Sequence, residues 1–377
     1  MSEPRPEPWY NPEAEVLGRT VIQELPYKKY WTEDLVAKWS HTESMAEERE
    51  TPVLELDLRD KGYGMVFIKD ESDLSLNPTG TMKDRLARAY VYTYHSLAKF
   101  LDERIKEDPE YRSKLAYKVL PRFSLITSGN AGLALARAFR DNELPPPKLL
   151  IHEDVKADVR DQLVASGADV YSIDLSVNPF SHKKAETDPL TREQILKLTN
   201  NIGGRDITSA QDIIGFVDTE NPGFFAYLNM ARDVFSVRPT QVYVPFGSGM
   251  VFDCFVHTQR IFDSRDTDIL GAEPSSLNSA ANKLTAPVKP FLLYGSADAI
   301  ALTKEQHWTG SQSGVYKIDE NDISLAEQLF QEKLGKYGVR SESSAVAGLA
   351  LYLKRWRDGK IKDTEKILVV NTGQGIG

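Results

Sequence analysis

The chain runs to 377 residues, 41% of them hydrophobic and 27% charged, which is enough for two medium-sized lobes with cores of their own. A formal net charge of −9 and a pI near 5.4 exclude the basic face that a nucleic-acid or anionic-lipid binder needs to release counterions. A single cysteine, Cys254, excludes an internal disulfide and, inside the apolar run 250–256, reads as a buried structural thiol.

The N-terminus lacks the apolar centre of a signal peptide, and no stretch is long enough to span a bilayer, so a cytoplasmic protein without a membrane partner is expected. The first fifty residues show no clear period and read as an arm over 1–50; Glu43, Glu47, Glu48 and Glu50 form a solvated acidic face. From Val66 onward, short apolar runs alternate with longer amphipathic ones, the pattern of βα units feeding a parallel sheet. Strands are predicted over 65–69, 123–127, 148–151, 169–173, 241–245, 269–273, 315–318 and 367–371. Helices are predicted over 83–100, 131–141, 156–166, 224–235, 250–262, 324–336 and 344–358. A polar stretch from about Leu175 to Arg205 marks a lobe boundary. The expected architecture is α/β and two-lobed, each lobe an open, mostly parallel sheet flanked by helices. A large domain of 51–79 with 201–377 and a smaller, mobile domain of 80–200 follow.

Ligands of open α/β sheets sit beyond the carboxyl ends of the strands, and four such places carry small or hydroxylated residues. The turn Asn77-Pro78-Thr79-Gly80-Thr81-Met82-Lys83 delivers one lysine to a helix start. The positive end of the helix is expected to lower its pKa and favour the neutral amine, the form that condenses with an aldehyde cofactor. The second segment, Thr127-Ser128-Gly129-Asn130-Ala131-Gly132, frees backbone amides at a helix start for an anion such as an amino-acid carboxylate. It reads equally well as a tight turn capped by Ser128 or Asn130. The third, Gly247-Ser248-Gly249-Met250, follows a strand and suits a single phosphate, since the residues of a nucleotide P-loop are missing. The fourth, Asn371-Thr372-Gly373-Gln374-Gly375, places a hydroxyl, Thr372, where it can share a hydrogen bond with a ring nitrogen without holding it protonated. Such electronics suit elimination and replacement better than transamination. Pyridoxal 5′-phosphate is the cofactor that joins these features.

Taken in order, the segments resemble the fold-type II pyridoxal-phosphate enzymes, the tryptophan synthase β superfamily, from about Thr51 to the C-terminus. Thr51-Pro52-Val53-Leu54 is similar to the family's early Thr-Pro-Leu turn, Lys69-Asp70-Glu71 to its Lys-x-Glu strand end, and 77–85 to its lysine segment. Glu273-Pro274 and Glu342-Ser343-Ser344-Ala345 resemble two later motifs, and Thr372-Gly373-Gln374-Gly375 is similar to the Thr-Gly-His-Gly of threonine synthases. The resemblance implies that Lys83 is the Schiff-base lysine and proton shuttle. It also implies that Asn130 contacts the phenolic oxygen, that Gly247, Ser248, Gly249 and Met250 hold the phosphate, and that Thr127 to Ala131 take the substrate carboxylate. Met82, Met250 and the Lys- and Glu-rich insertion of 93–122 depart from the family pattern.

The implied activity is elimination or replacement on an amino-acid substrate, most like threonine synthase, with cysteine synthase-like replacement or serine/threonine dehydration as alternatives. A cofactor-binding pseudoenzyme is the non-catalytic one. A phosphorylated substrate needs a second cationic pocket, for which Arg85, Lys184 and Arg205 are candidates. The resemblance also implies a homodimer. The six histidines are scattered, with no i, i+4 pair, so no metal site is expected.

Overall fold

A computed structural model describes residues 20–23, 50–108, 124–127, 129–144, 146–185, 187, 188, 190, 194, 226–285 and 297–375. Ser128, Arg205, the loop 209–223, most of the arm and the start of the helix expected at 224 lie outside the described residues. By internal packing the chain divides after Leu86 and after residue 222 into two units, where the sequence reading has boundaries at 79/80 and 200/201.

Unit 1, the described residues within 1–46 and 87–222, is built on a four-stranded sheet. Its strands are β1 (Thr20–Gln23), β4 (Ser124–Ile126), β5 (Lys148–His152) and β6 (Asp169–Ile173), in the order β1-β6-β5-β4. β4, β5 and β6 run parallel, and β1 pairs antiparallel with β6. The expected arm therefore includes an edge strand, missed because four residues are too few to show a period. β5 and β6 are buried along nearly their whole length, with apolar residues at their centres, as in a sheet covered on both faces. Helices α2 (Asn130–Asp141) and α3 (Ala157–Ala165) follow β4 and β5. Tyr94, on α1 (Lys83–Glu107), meets Phe139 of α2 edge to face at 5.3 Å inside this unit.

Unit 2, the described residues within 47–86 and 223–377, is built on six strands: β2 (Val53–Asp57), β3 (Met65–Asp70), β7 (Gln241–Pro245), β8 (Asp268–Pro274), β9 (Gly314–Ile318) and β10 (Ile367–Asn371). Their order is β2-β3-β10-β7-β8-β9. All neighbours run parallel except the β2–β3 pair. β2, unforeseen in the sequence, is one of the two edge strands, β9 being the other. β2 alternates only partly between buried and exposed residues, which hides its period. Helices α4 (Leu228–Ser236), α5 (Met250–Thr258), α6 (Ala297–Glu305), α7 (Glu320–Leu334) and α8 (Ala347–Arg357) complete the unit. The core joins Ile68, Tyr243, Leu270 and Val369 of the sheet to Ile323, Phe330, Leu349 and Tyr352 of α7 and α8. Tyr352 packs edge to face on Tyr243 at 5.9 Å, and its hydroxyl accepts from the Gly64 amide. Cys254 is buried on α5, and burial pushes its thiol well up, as expected of an inert structural cysteine. Among the described residues no helix is long and apolar enough to cross a membrane.

α7 begins four residues earlier than the apolar period predicts. The Asp319 carboxylate accepts from the amides of Asn321 and Asp322 at 3.0 Å, and Asp322 accepts from the Asp319 amide in return, a capping box written with two aspartates. Asp319→Ala removes the cap while leaving the apolar face of α7 intact. It is expected to lower stability in urea unfolding by about 1 kcal/mol, and Asp319→Asn by less.

Candidate active site

Three of the four strand-end segments leave neighbouring strands of unit 2. The lysine turn follows β3, Thr372 follows β10 and Gly247–Gly249 follow β7, and β10 lies between the other two. The C-terminal segment is stitched to the lysine turn. Thr81 bridges Gly373, the Met82 amide donates to the Thr372 carbonyl at 3.0 Å, and the Gln374 amide donates to the Gly80 carbonyl at 3.0 Å. Gly373 adopts φ 115°, and a Cβ there would run into the Gly80 carbonyl, so only glycine lets the two strands of this clamp meet.

The turn itself rests on a buried ionic cluster. Arg85 donates through Nε to Glu71 Oε2 at 2.7 Å and through Nη2 to Glu71 Oε1 at 3.0 Å and to Thr51 Oγ1 at 3.1 Å. Thr51 donates to Glu71 at 2.6 Å, and Asn77 donates to both the carbonyl and the carboxylate of Glu71. Lys69, fully buried, donates to the Thr51 carbonyl at 2.5 Å and to Asp233 of α4 at 2.6 Å. Burial pulls Lys69 below the ordinary lysine range against the opposing pull of Asp233. For Arg85, burial is outweighed by the facing Glu71 carboxylate, so its pKa rises. Arg85 is thus spent on Glu71 rather than offered to a substrate phosphate, which corrects the role expected of it. Lys184 is exposed in unit 1.

Thr79 donates from its amide and hydroxyl to Asp84, and the Lys83 amide donates to Thr81 Oγ1 at 3.1 Å, so polar side chains shape the entry to α1. The Lys83 amine is densely surrounded, although the residue as a whole is half-buried. Burial lowers its pKa to about 8. The expected depression is present, and desolvation of the amine lowers it. Nζ lies 3.3 Å from Tyr227 Oη.

After β7, Gly249 takes φ 84° at the start of α5 and caps it without a side-chain bond. The first amides of that helix therefore have no capping side chain, the usual cradle for a phosphate. Ser248 is half-buried beside them, and Met250 is buried as the first helical residue. The Thr372 hydroxyl has no hydrogen-bond partner among the described residues. A partly enclosed amine of depressed pKa, an uncapped glycine turn and a hydroxyl, at three adjacent strand ends, fit pyridoxal phosphate.

In unit 1, Thr127 follows β4 and its hydroxyl accepts from the amides of Gly129 and Gly132 at 3.1 and 3.2 Å. The Thr127 hydroxyl thus shapes this turn. Gly129 is buried and Asn130 opens α2, which has no acidic residue in its first turn. No group of three or more His, Cys, Asp or Glu able to hold a metal occurs among the described residues.

The sequence profile of a family described as pyridoxal-phosphate dependent enzyme matches residues 45–373. The chain belongs to that family. Among solved structures, it resembles a pyridoxal 5′-phosphate-dependent aspartate racemase at 15% identity and TM-score 0.58, over 94% of this chain and 98% of that one. It resembles diaminopropionate ammonia lyase from Escherichia coli at 16% identity and TM-score 0.56, over 99% and 91%. It resembles maize serine racemase at 18% identity and TM-score 0.55, over 91% and 93%. No curated protein matches the sequence. The fold is that of the fold-type II pyridoxal-phosphate enzymes.

The sequence does not single out Tyr227 and Asp233, because one caps and the other lies in a helix whose apolar spacing reads as core. The spacing of Lys69, Glu71 and Arg85 carried a readable signal, since three charges in and after an apolar strand must be paired if they are buried. Arg85→Met leaves Glu71 buried without its counter-charge and is expected to cost about 3–5 kcal/mol in urea unfolding. Adding Glu71→Leu should recover much of that loss, because the pair removed together leaves no uncompensated ion.

Proposed function

We propose that the chain catalyses elimination or replacement on an amino-acid substrate, in the manner of a threonine synthase: O-phosphohomoserine and water giving threonine and phosphate. The observation that carries this reading is the Lys83 amine, lowered to about 8 by burial and next to the segment that ends in Thr372. Pyridoxal phosphate, when bound, supplies the electron sink that makes the α-proton of an amino acid removable. The residues do the rest. Lys83 Nζ takes the proton from Cα and later returns one, the task its lowered pKa suits. Gly247, Ser248, Gly249 and the first amide of α5 at Met250 would hold the phosphate ester. Asn130 would donate to the phenolic oxygen, and the Thr372 hydroxyl would share a hydrogen bond with the ring nitrogen without carrying a charge that holds it protonated. The turn from Thr127 through Ser128, Gly129 and Asn130 to Ala131 takes the substrate carboxylate on backbone amides. The Thr372-Gly373-Gln374-Gly375 ending supports the threonine-synthase choice.

Two measurements test this. With O-phosphohomoserine the purified protein should release phosphate and threonine in equal amounts. Keto acid and ammonia from serine or threonine would move it to the dehydratases, sulfide consumption to the cysteine synthases, and inversion of serine or aspartate without phosphate release to the racemases. Independently, condensation of pyridoxal phosphate with the apo-protein should accelerate about tenfold per pH unit up to about pH 8 and level off above it, because only the neutral amine reacts. A rise continuing to pH 10 would mean that the reacting lysine is solvated.

A further inference from the structure

We propose that Tyr227 is the positioning residue for the Lys83 amine, holding it through the phenol hydroxyl in the orientation from which it exchanges the substrate's α-proton. The inference rests on the reading of Lys83 as the base. Among the described residues, Tyr227 Oη is the only hydrogen-bond partner of Lys83 Nζ, at 3.3 Å. Nζ lies 5.8 Å from the ring centroid, so the amine meets the hydroxyl edge of the ring and not its face.

The ring is fully buried and immediately precedes α4. That helix is tied down by Asp233, whose carboxylate holds fully buried Lys69 on β3, and β3 runs into the turn that presents Lys83. Both partners of the Lys83–Tyr227 contact are therefore fixed to one strand, which gives the amine a set direction instead of the rotamer freedom of an ordinary lysine. The charged groups around the pair, Lys69 with Asp233 and Glu71 with Arg85, are engaged with each other. The phenol is thus the group through which the surroundings act directly on the amine.

Tyr227→Phe keeps the ring and removes the hydrogen bond. A bond donated by an ammonium is stronger than one made by a neutral amine, so its loss disfavours the ammonium and should lower the titration midpoint of Lys83 by about one pH unit. The midpoint is read without turnover, from the pH dependence of Lys83 acetylation by acetic anhydride in the full-length apo-protein, quantified by peptide mass spectrometry. In the holoenzyme, exchange of the α-proton for deuterium should slow at least tenfold in kcat with KM changed less than twofold. Borohydride should still label Lys83, which separates this proposal from the assignment of the lysine itself. Because the ring is buried, 3-fluorotyrosine at 227 serves as a second variant that preserves packing. Its poorer acceptor should move the acetylation midpoint down by a smaller amount. An unchanged midpoint in both variants, or an unchanged exchange rate in Tyr227→Phe, overturns the proposal.

Discussion

Glu71 and Lys69 are charges taken wholly out of water, and Arg85 nearly so. Removing such ions from water costs several kcal/mol each, and only close, complete pairing offsets it. Here the pairing is close and it is also local to one turn. Glu71 ends the β3 segment, Arg85 lies two residues beyond the reactive lysine, and Asn77 opens the turn between them. Satisfying those charges forces 71–85 into one conformation. The stability returned is modest; what the cluster fixes is where Lys83 emerges.

The same reasoning explains why the lysine turn packs with unit 2. Its far side is closed by the Thr372–Gln374 segment, which extends β10 and pairs back onto Gly80–Met82. Parallel strands put their carboxyl ends on one edge, so three loops from β3, β10 and β7 share that edge without any long-range coordination between them. One loop offers an amine, one a hydroxyl and one a glycine turn at a helix start. Burial tunes the amine and backbone geometry shapes the turn. Neither requires a further ionisable group.

The sequence shows the parallel strands, the lysine turn, the glycine turns and the C-terminal motif directly, because each is a local pattern. β7 and β10 fall where their apolar runs predict, since a strand buried on both faces announces itself. What stays hidden depends on tertiary partners. β1 and β2 are short edge strands, Asp319 caps α7 in a form other than Ser/Thr with Glu, and the Thr127 hydroxyl organises the turn before α2. Arg85 reads as a surface cation until Glu71 is found opposite it. The lowered pKa of Lys83 is expected from its place at a helix start, whereas the burial that lowers it here is a tertiary feature no local pattern shows.

The central claim is that the fold presents one particular amine to an aldehyde cofactor. Sodium borohydride reduction of the holo-protein, followed by proteolysis and mass mapping, tests it most directly. A pyridoxyl group on Lys83, and on no other lysine, is the predicted result. A label on a different lysine, or none with cofactor bound, would contradict it.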